Sequence, residues 1–597
     1  MAMKASNWPS TRLLLGLGPL LALMIASAAH AETAAVPCNA NPAALPVTVF
    51  EAARIITMEP SAPTARFVAV RGDVILGAAD TLADLSPWKP CSGWTVDRQF
   101  ARDILMPGLV DPHVHPMQAA VMYNIPFIAP DDWVLPTGNF PGARAPADYR
   151  TKLRAMLAAS DARPFITWGH HKLFHGSIDR AELDLIAPDR PVIIWQRSFH
   201  EVIMNSAALR HYGLDSAAVI AEEIVRHKSD PAHANLATGE FSETALPIAL
   251  DRMRPDILSP EKIRAGFAAL RQNMLTSGVT TTSDMGTGIF ANFDTEAGLI
   301  HAAFETPDGA ARVMLMPIAT QMPAGLTPDT WIADIAARYA GPHVRVDRRV
   351  KMLADGAFFA QNMMMGAPGY ADGHEGKWIM PPEVVRAMAT QFWDAGFDLH
   401  IHVNGDRGVD TVLDTIDTLA PRRGQTITLE HLGYSTEAQN RRIARAGLMV
   451  SAQPNYIRVL GDAYAENGLG PDRAAAINRL GSLEAKGVTL GLHSDFNMAP
   501  IDPLYLAWIA TNRMTINGNI KAPTERISLD KALRAITVEA AQVIGMDAMI
   551  GSIASGKKAD FTVLDRDPYV VGTARLRDIR VKAVVFEGVV HAAAVRP

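Results

Sequence analysis

The stretch ILMPGLVDPHVHP, residues 104–116, reads as an apolar β-strand that stops at two histidines, His113 and His115. Side chains two apart on a strand share a face, so both imidazoles can reach one metal ion. Working outward, seven more short apolar segments follow: GVTTTSDMG from Gly278, ARVMLMPIA from Ala311, VKMLADGA from Val350, DLHIHVNGD from Asp398, TITLEHLG from Thr426, GLMVSAQPN from Gly447 and GVTLGLHSD from Gly487. Longer helical patterns separate them. After Gly405, for example, Val409, Val412, Leu413, Ile416 and Leu419 recur at helical spacing and form one apolar stripe. Strands alternating with helices predict an α/β fold with a parallel sheet, and eight of them suit a closed (β/α)8 TIM barrel.

The flanks have a different texture. Val47 to Ile56 and Ala65 to Ile75 are β-rich with Gly72-Asp73 as a turn, and KKADFTVLD from Lys557 and VKAVVFEGVVH from Val581 repeat that pattern at the far end. The two ends are expected to form one composite β-sandwich, from residues 32–104 and 555–597, around a barrel spanning 105–554. An insertion after the first barrel strand, over about 118–275, is too long for a plain loop and must carry structure of its own over one end of the barrel.

Residues 1–31 read as a cleaved secretory signal: Lys4 and Arg12, an apolar run from Leu13 to Ala28, then Ala29-His30-Ala31. The run is shorter than the roughly 20 apolar residues of a spanning helix, which argues against a membrane anchor. The expected destination is the periplasm or the exterior, with no stable membrane insertion after cleavage. In that oxidising setting Cys38 and Cys91, the two cysteines of the chain, are expected to pair. Closing such a loop contributes about 4 kcal/mol. Two cysteines cannot build a Cys-rich zinc site.

At 48% hydrophobic and 20% charged, the 597 residues can bury a large core, which excludes disorder as the main state. A net charge of −6 without a long basic run excludes a nucleic-acid partner.

The chemistry-bearing residues gather where strands stop. His402 ends its strand with His400 two residues deeper, His431 ends the next, and Asp495 ends the last with His493 beneath it. In a parallel barrel these ends converge on the C-terminal mouth. Neutral imidazoles with a carboxylate suit Zn2+ or a related divalent ion.

Taken in order, PGLVDPHVHP, the Lys351 strand with Asp355-Gly356, HVNGDRGVD, LEHLG, HSD and GKKADFTVLD resemble the amidohydrolase superfamily. Within it they are similar to the branch of YtcJ-like and N-substituted formamide deformylase-like enzymes. The resemblance implies a metal-dependent barrel with a composite sandwich. It also implies ligands at His113, His115, His402, His431 and Asp495, and a lysine, Lys351, that relatives carboxylate. An ammonium has no lone pair for a cation. A carbamate on Lys351 would have two oxygens to bridge ions about 3.5–4 Å apart, so one or two ions are expected. His400 and His493 match no family ligand and read as hydrogen-bonding groups behind the ligands.

The activity so implied is hydrolysis of a non-peptide C–N bond in a small, partly apolar substrate, with Asp495 as the general base and acid. A related ester, lactone or cyclic amide is the alternative substrate, and a non-catalytic metal-containing binding or regulatory protein is the alternative class. The segment PVIIWQRSFHEVIMNSAAL resembles a family segment carrying a histidine and an Asn-Ser pair, here His200, Asn205 and Ser206. His200 and Asn205 are thereby expected to contact substrate. Phe358, Phe359, Met363, Met364, Met365 and Trp378 suit an adaptable apolar pocket, with Trp378 on the substrate. They equally suit packing or a homodimer contact.

Overall fold

The computed structural model describes residues 45–91 and 93–593. The expected signal segment and Cys38 lie outside the described residues. Cys91 is disulfide-bonded.

The opening stretch is two strands, not one. Ile104–Pro107 pairs parallel to Val47–Ile56 and antiparallel to Phe561–Leu564, whereas Leu109–Val114 (β1) belongs to a different sheet. The chain crosses between them at Gly108, where a Cβ would lie 2.2 Å from Thr280 Oγ1. Only glycine permits that approach. The terminal sheet therefore extends to Pro107, past the expected edge at 104.

That sheet has eight strands drawn from both ends of the chain, in the order Val589–Ala592, Val581–Phe586, Phe561–Leu564, Ile104–Pro107, Val47–Ile56, Thr64–Arg71 and Val74–Ala79, with Thr95–Asp97 also pairing to Val47–Ile56. Strand alternation sends Phe50, Ala52, Val68, Val70, Phe561 and Val563 into one apolar layer and Val47, Val49, Phe67 and Ala69 into another.

Seven more parallel strands follow β1: β2 (Val279–Thr287), β3 (Arg312–Pro317), β4 (Arg349–Leu353), β5 (Asp398–Val403), β6 (Ile427–His431), β7 (Met449–Ala452) and β8 (Leu490–Leu492). β1 to β3 pair in chain order in one sheet and β4 to β8 in another. Parallel bridges Ile318–Lys351 and Val114–Phe496 link the two sheets at both margins. Helices lie between the strands, giving the α/β fold expected. The helix Asp406–Ile416 buries Val409, Val412 and Leu413, with Ile416 and Leu419 packed at its edge.

Between β1 and β2 the chain builds a five-stranded sheet from Phe165–His170, Val192–Gln196, Glu201–Met204, Ala234–Asn235 and Glu240–Ser242. Arg197 fastens this insertion to the loop after β8. Fully buried, it pairs with Asp131, donates to the Met498 carbonyl at 3.0 Å and lies 4.8 Å over the Phe359 ring. Without those partners the buried charge would be strongly destabilising. Among the described residues no helix is long and apolar enough to cross a membrane.

Candidate metal centre

His113, His115, Lys351, His402, His431 and Asp495 line one cavity of about 420 Å³. Five of the eight strands or the turns just beyond them supply these groups. His113 Nε2 and His115 Nε2 stand 3.5 and 3.1 Å from Asp495 Oδ1, and His431 Nδ1 stands 3.6 Å from Asp495 Oδ2. The His402 and His431 rings are 4.5 Å apart. Lys351 is 2% exposed, and its Nζ has no hydrogen-bond partner among the described residues.

Backbone geometry places these groups in ways that alternation alone does not. β1 ends at Val114, so His115 already sits at the start of the helix Pro116–Met122. β8 ends at Leu492, so His493 and Asp495 lie beyond it, and the expected shared strand parity gives way to a left-handed Asp495 (φ 50°). The turn is held by Asp495 N–H donating to His113 O at 3.0 Å and by Ser494 N–H donating to Asp111 Oδ1 at 3.1 Å. His431 is left-handed too (φ 71°), departing from strand geometry at the last residue of β6. Its ring lines the cavity although Glu430, the residue before it, also faces this cluster.

Glu430 is the main functional residue that sequence reasoning missed. Fully buried, it accepts from His113 Nδ1 and His400 Nδ1, each at 2.7 Å. A carboxylate on Nδ1 fixes the ring so that the lone pair on Nε2 faces the cavity, and His113 Nε2 is a buried atom with no hydrogen-bond partner. No local sequence signal marks it: Glu430 stands laterally beside His402 across β5 and β6, a pairing only the fold brings about. Glu430→Gln is expected to lower metal affinity about 10- to 100-fold with the fold retained, read by chelator competition alongside circular dichroism.

His400 and His493, expected behind the ligands, are both fully buried. His400 bonds Glu430, and His493 bonds Ser451 Oγ at 2.7 Å and His431 at 3.2 Å; neither lines the cavity. His493 also stands within ligand spacing of His113 and His431. Burial pushes the imidazoles of His113, His402, His431 and His493 well below their usual range, keeping them neutral. Burial likewise lowers Lys351 to about 8, opposed by Glu430 and Asp495, and raises Asp495, opposed by His115. Neutral ring nitrogens and a carboxylate are a donor set that fits a divalent cation, which Lys351 could join only once converted to a carbamate.

His200 and Trp378 line the same cavity, as do Phe358 and Phe359, whereas Met363, Met364 and Met365 are buried packing. Asn205 does not reach it, contrary to expectation. Its Oδ1 accepts from Val192 and Ala208 N–H at 3.0 and 2.8 Å, and its Nδ2 donates to Ala187 and Arg190 carbonyls at 2.8 and 2.9 Å. Every bonding position of that side chain is used to cap the helix Ser206–His211 and tie it to the insertion sheet. Ser206 similarly bonds Asp184 and Arg180. Asn205→Ala is expected to cost about 1–3 kcal/mol in denaturant unfolding while leaving KM unchanged.

A sequence profile of the amidohydrolase family matches residues 103–592. The chain is 24% identical over 422 residues to the putative amidohydrolase YtcJ of Bacillus subtilis, covering 69% of this chain and 76% of that one. It is 27% identical over 428 residues to N-substituted formamide deformylase of Arthrobacter pascens, covering 69% and 75%. Protein LONG AFTER FAR-RED 3 of Arabidopsis thaliana is 24% identical over 545 residues, covering 86% of each. Among solved structures, an uncharacterised metal-dependent hydrolase from Pyrococcus horikoshii superposes with a TM-score of 0.65 at 20% identity, over 88% of this chain and 99% of that one.

Proposed function

We propose that this chain, which belongs to the amidohydrolase family, cleaves the amide C–N bond of a small, partly apolar molecule by metal-dependent hydrolysis. The observation that carries this reading is the convergence of six donor side chains, distant in sequence, on one cavity whose remaining wall is largely apolar. Parallel pairing in chain order and the two bridges between sheets support a closed (β/α)8 barrel, with the terminal sheet as its composite sandwich.

His113, His115, His402, His431 and Asp495 would hold the ion, and Lys351, as a carbamate, would admit a second. Zinc fits the nitrogen-rich donor set. When bound, such an ion supplies Lewis acidity and lowers the pKa of water from 15.7 to about 7. Asp495 accepts the proton that the attacking water loses, and returns it to the nitrogen as the C–N bond breaks, so that an acid and an amine leave. Gln453 Nε2, 3.3 Å from Asp495 Oδ2, steadies that carboxylate. The aromatic wall of Phe358, Phe359 and Trp378 excludes water around the substrate's apolar part. We place the mature protein outside the cytoplasm, a reading supported by the leader-like residues 1–31 and the disulfide at Cys91.

Metal analysis of the purified protein, followed by a panel of N-acyl amines, lactones and peptides, tests the proposal. Amine release from an N-acyl amine is the expected result. Turnover of lactones alone would move the assignment to C–O bonds, and tight binding without product would replace it by a sensor.

A further inference from the structure

Two stretches carry acidic residues and glycines that ligation of an ion leaves unexplained: Asp355-Gly356 after β4 and Asn404-Gly405-Asp406-Arg407-Gly408 after β5. In the fold they interlock. The fully buried carboxylate of Asp355 accepts three main-chain N–H groups, Oδ1 from Asn404 at 2.8 Å and Oδ2 from Gly405 at 2.9 Å and Met364 at 2.8 Å. Two of these donors lead into the helix Asp406–Ile416, whose N-terminus favours a negative group. The third lies midway along the excursion that runs from β4 to the helix Pro382–Asp394. The two backbones are in contact there: a Cβ on Gly405 would lie 2.1 Å from the Met364 carbonyl oxygen, and one on Gly408 2.7 Å from Asp355 Oδ2.

The excursion fastened by Asp355 is the one that supplies the aromatic wall. Its base is clipped by Gly356 N–H donating to the Lys377 carbonyl at 2.9 Å and Ile379 N–H donating to the Ala354 carbonyl at 3.0 Å. Within it Phe358 stacks on Tyr456 and Tyr464, with ring centroids 4.2 and 4.9 Å apart, and Phe358, Phe359 and Trp378 all line the cavity. On the other side, Asn404 carries its side-chain nitrogen to 3.1 Å from His402 Nε2, and the same nitrogen donates to the Gly356 carbonyl at 3.3 Å. Ala354 N–H donates to the His402 carbonyl at 2.9 Å. One carboxylate thus holds both the middle of the aromatic segment and the residue that touches the His402 ring. Neither Asp355 nor Asn404 lines the cavity.

Resting on the reading of His402 as a ligand, we propose that Asp355 and Asn404 are positioning residues that couple the metal centre to the substrate wall. An ion that fixes the His402 ring also orders residues 356–380, through Asn404 and Asp355, so the metal-loaded protein meets an apolar substrate with its wall already formed. The coupling is reciprocal, as any linkage between two sites must be, so a disordered wall weakens the hold on the ion.

The test is amide hydrogen exchange, read by mass spectrometry on chelator-treated protein and on protein saturated with zinc. In wild type, zinc is expected to slow exchange across residues 356–380 about 5- to 100-fold, the range of a typical coupling between sites. Asn404→Ala removes the amide beside His402 but keeps the main-chain N–H that Asp355 holds. Its zinc-free exchange is expected to match wild type, while zinc slows the segment by no more than about twofold. Asp355→Asn sets an amide against the three N–H groups. This variant is expected to exchange fast in the segment with or without zinc, and to bind zinc about 5- to 100-fold more weakly in chelator competition. Should it fail to fold, Asn404→Ala alone decides. Equal slowing by zinc in wild type and Asn404→Ala, or no slowing in a wild type that binds zinc, overturns the coupling and leaves the hydrolase reading intact. A wild type that binds no zinc overturns both.

Discussion

Asp495→Asn is expected to lower kcat by about 10²- to 10⁴-fold while leaving most of the bound metal in place. Asparagine keeps an oxygen at the position facing His115 and His113, so the ligand sphere loses charge but not shape. It cannot take up and return a proton, which is the step assigned to the carboxylate. The backbone accepts the change: φ at Asp495 is 50°, a region in which Asn is as acceptable as Asp. Its main-chain bond to the His113 carbonyl is unaffected. Steady-state kinetics with metal analysis separates the two functions of the residue. Turnover at the wild-type rate would remove Asp495 as the proton carrier, and loss of metal in parallel with activity would reduce it to a ligand.

The candidate ligands His113, His115, His402, His431 and Asp495 were legible because each stands at the end of a short apolar segment, and strand ends in a parallel α/β fold meet in one place. Lys351, at the start of its segment, joined them through the family resemblance alone, and the structure brings all six to one cavity. Three aspects were less visible. The break at Gly108 is set by how near Thr280 comes, a contact 172 residues away that no local pattern contains. Left-handed turns at His431 and Asp495 override the two-residue alternation at the very ends of strands. Asn205 looked like a substrate-facing amide, but its partners, at Val192, Ala208, Ala187 and Arg190, are all main-chain groups of the insertion, which motif reading does not reveal. Glu430 was overlooked for a related reason. It acts through His113 and His400, from separate segments, so its meaning depends on tertiary contacts.

Lys351→Ala is expected to reduce metal content from about two ions per chain to about one and to lower turnover by about two orders of magnitude, with short-chain carboxylates restoring part of both. The argument starts from burial. Lys351 lies on β4 between Val350 and Met352, both fully buried, with its Nζ facing the metal cavity and no hydrogen bond. Burial lowers its pKa to about 8, against the pull of Glu430 and Asp495, so about a tenth of the amine is neutral at pH 7, far more than for a free lysine. The neutral amine attacks carbon dioxide, forming an N–C bond and releasing a proton, and the product bears two oxygens where the amine had one nitrogen. An added carboxylate can place equivalent oxygens in the space the truncated side chain vacates. Because truncation also opens a cavity, Lys351→Met is the companion variant: it fills the volume without donor oxygens and should show the same loss of metal and no rescue. Unchanged metal content in both variants would leave Lys351 as a buried cation balancing Glu430 and Asp495, and a single ion would then have to suffice for the chemistry.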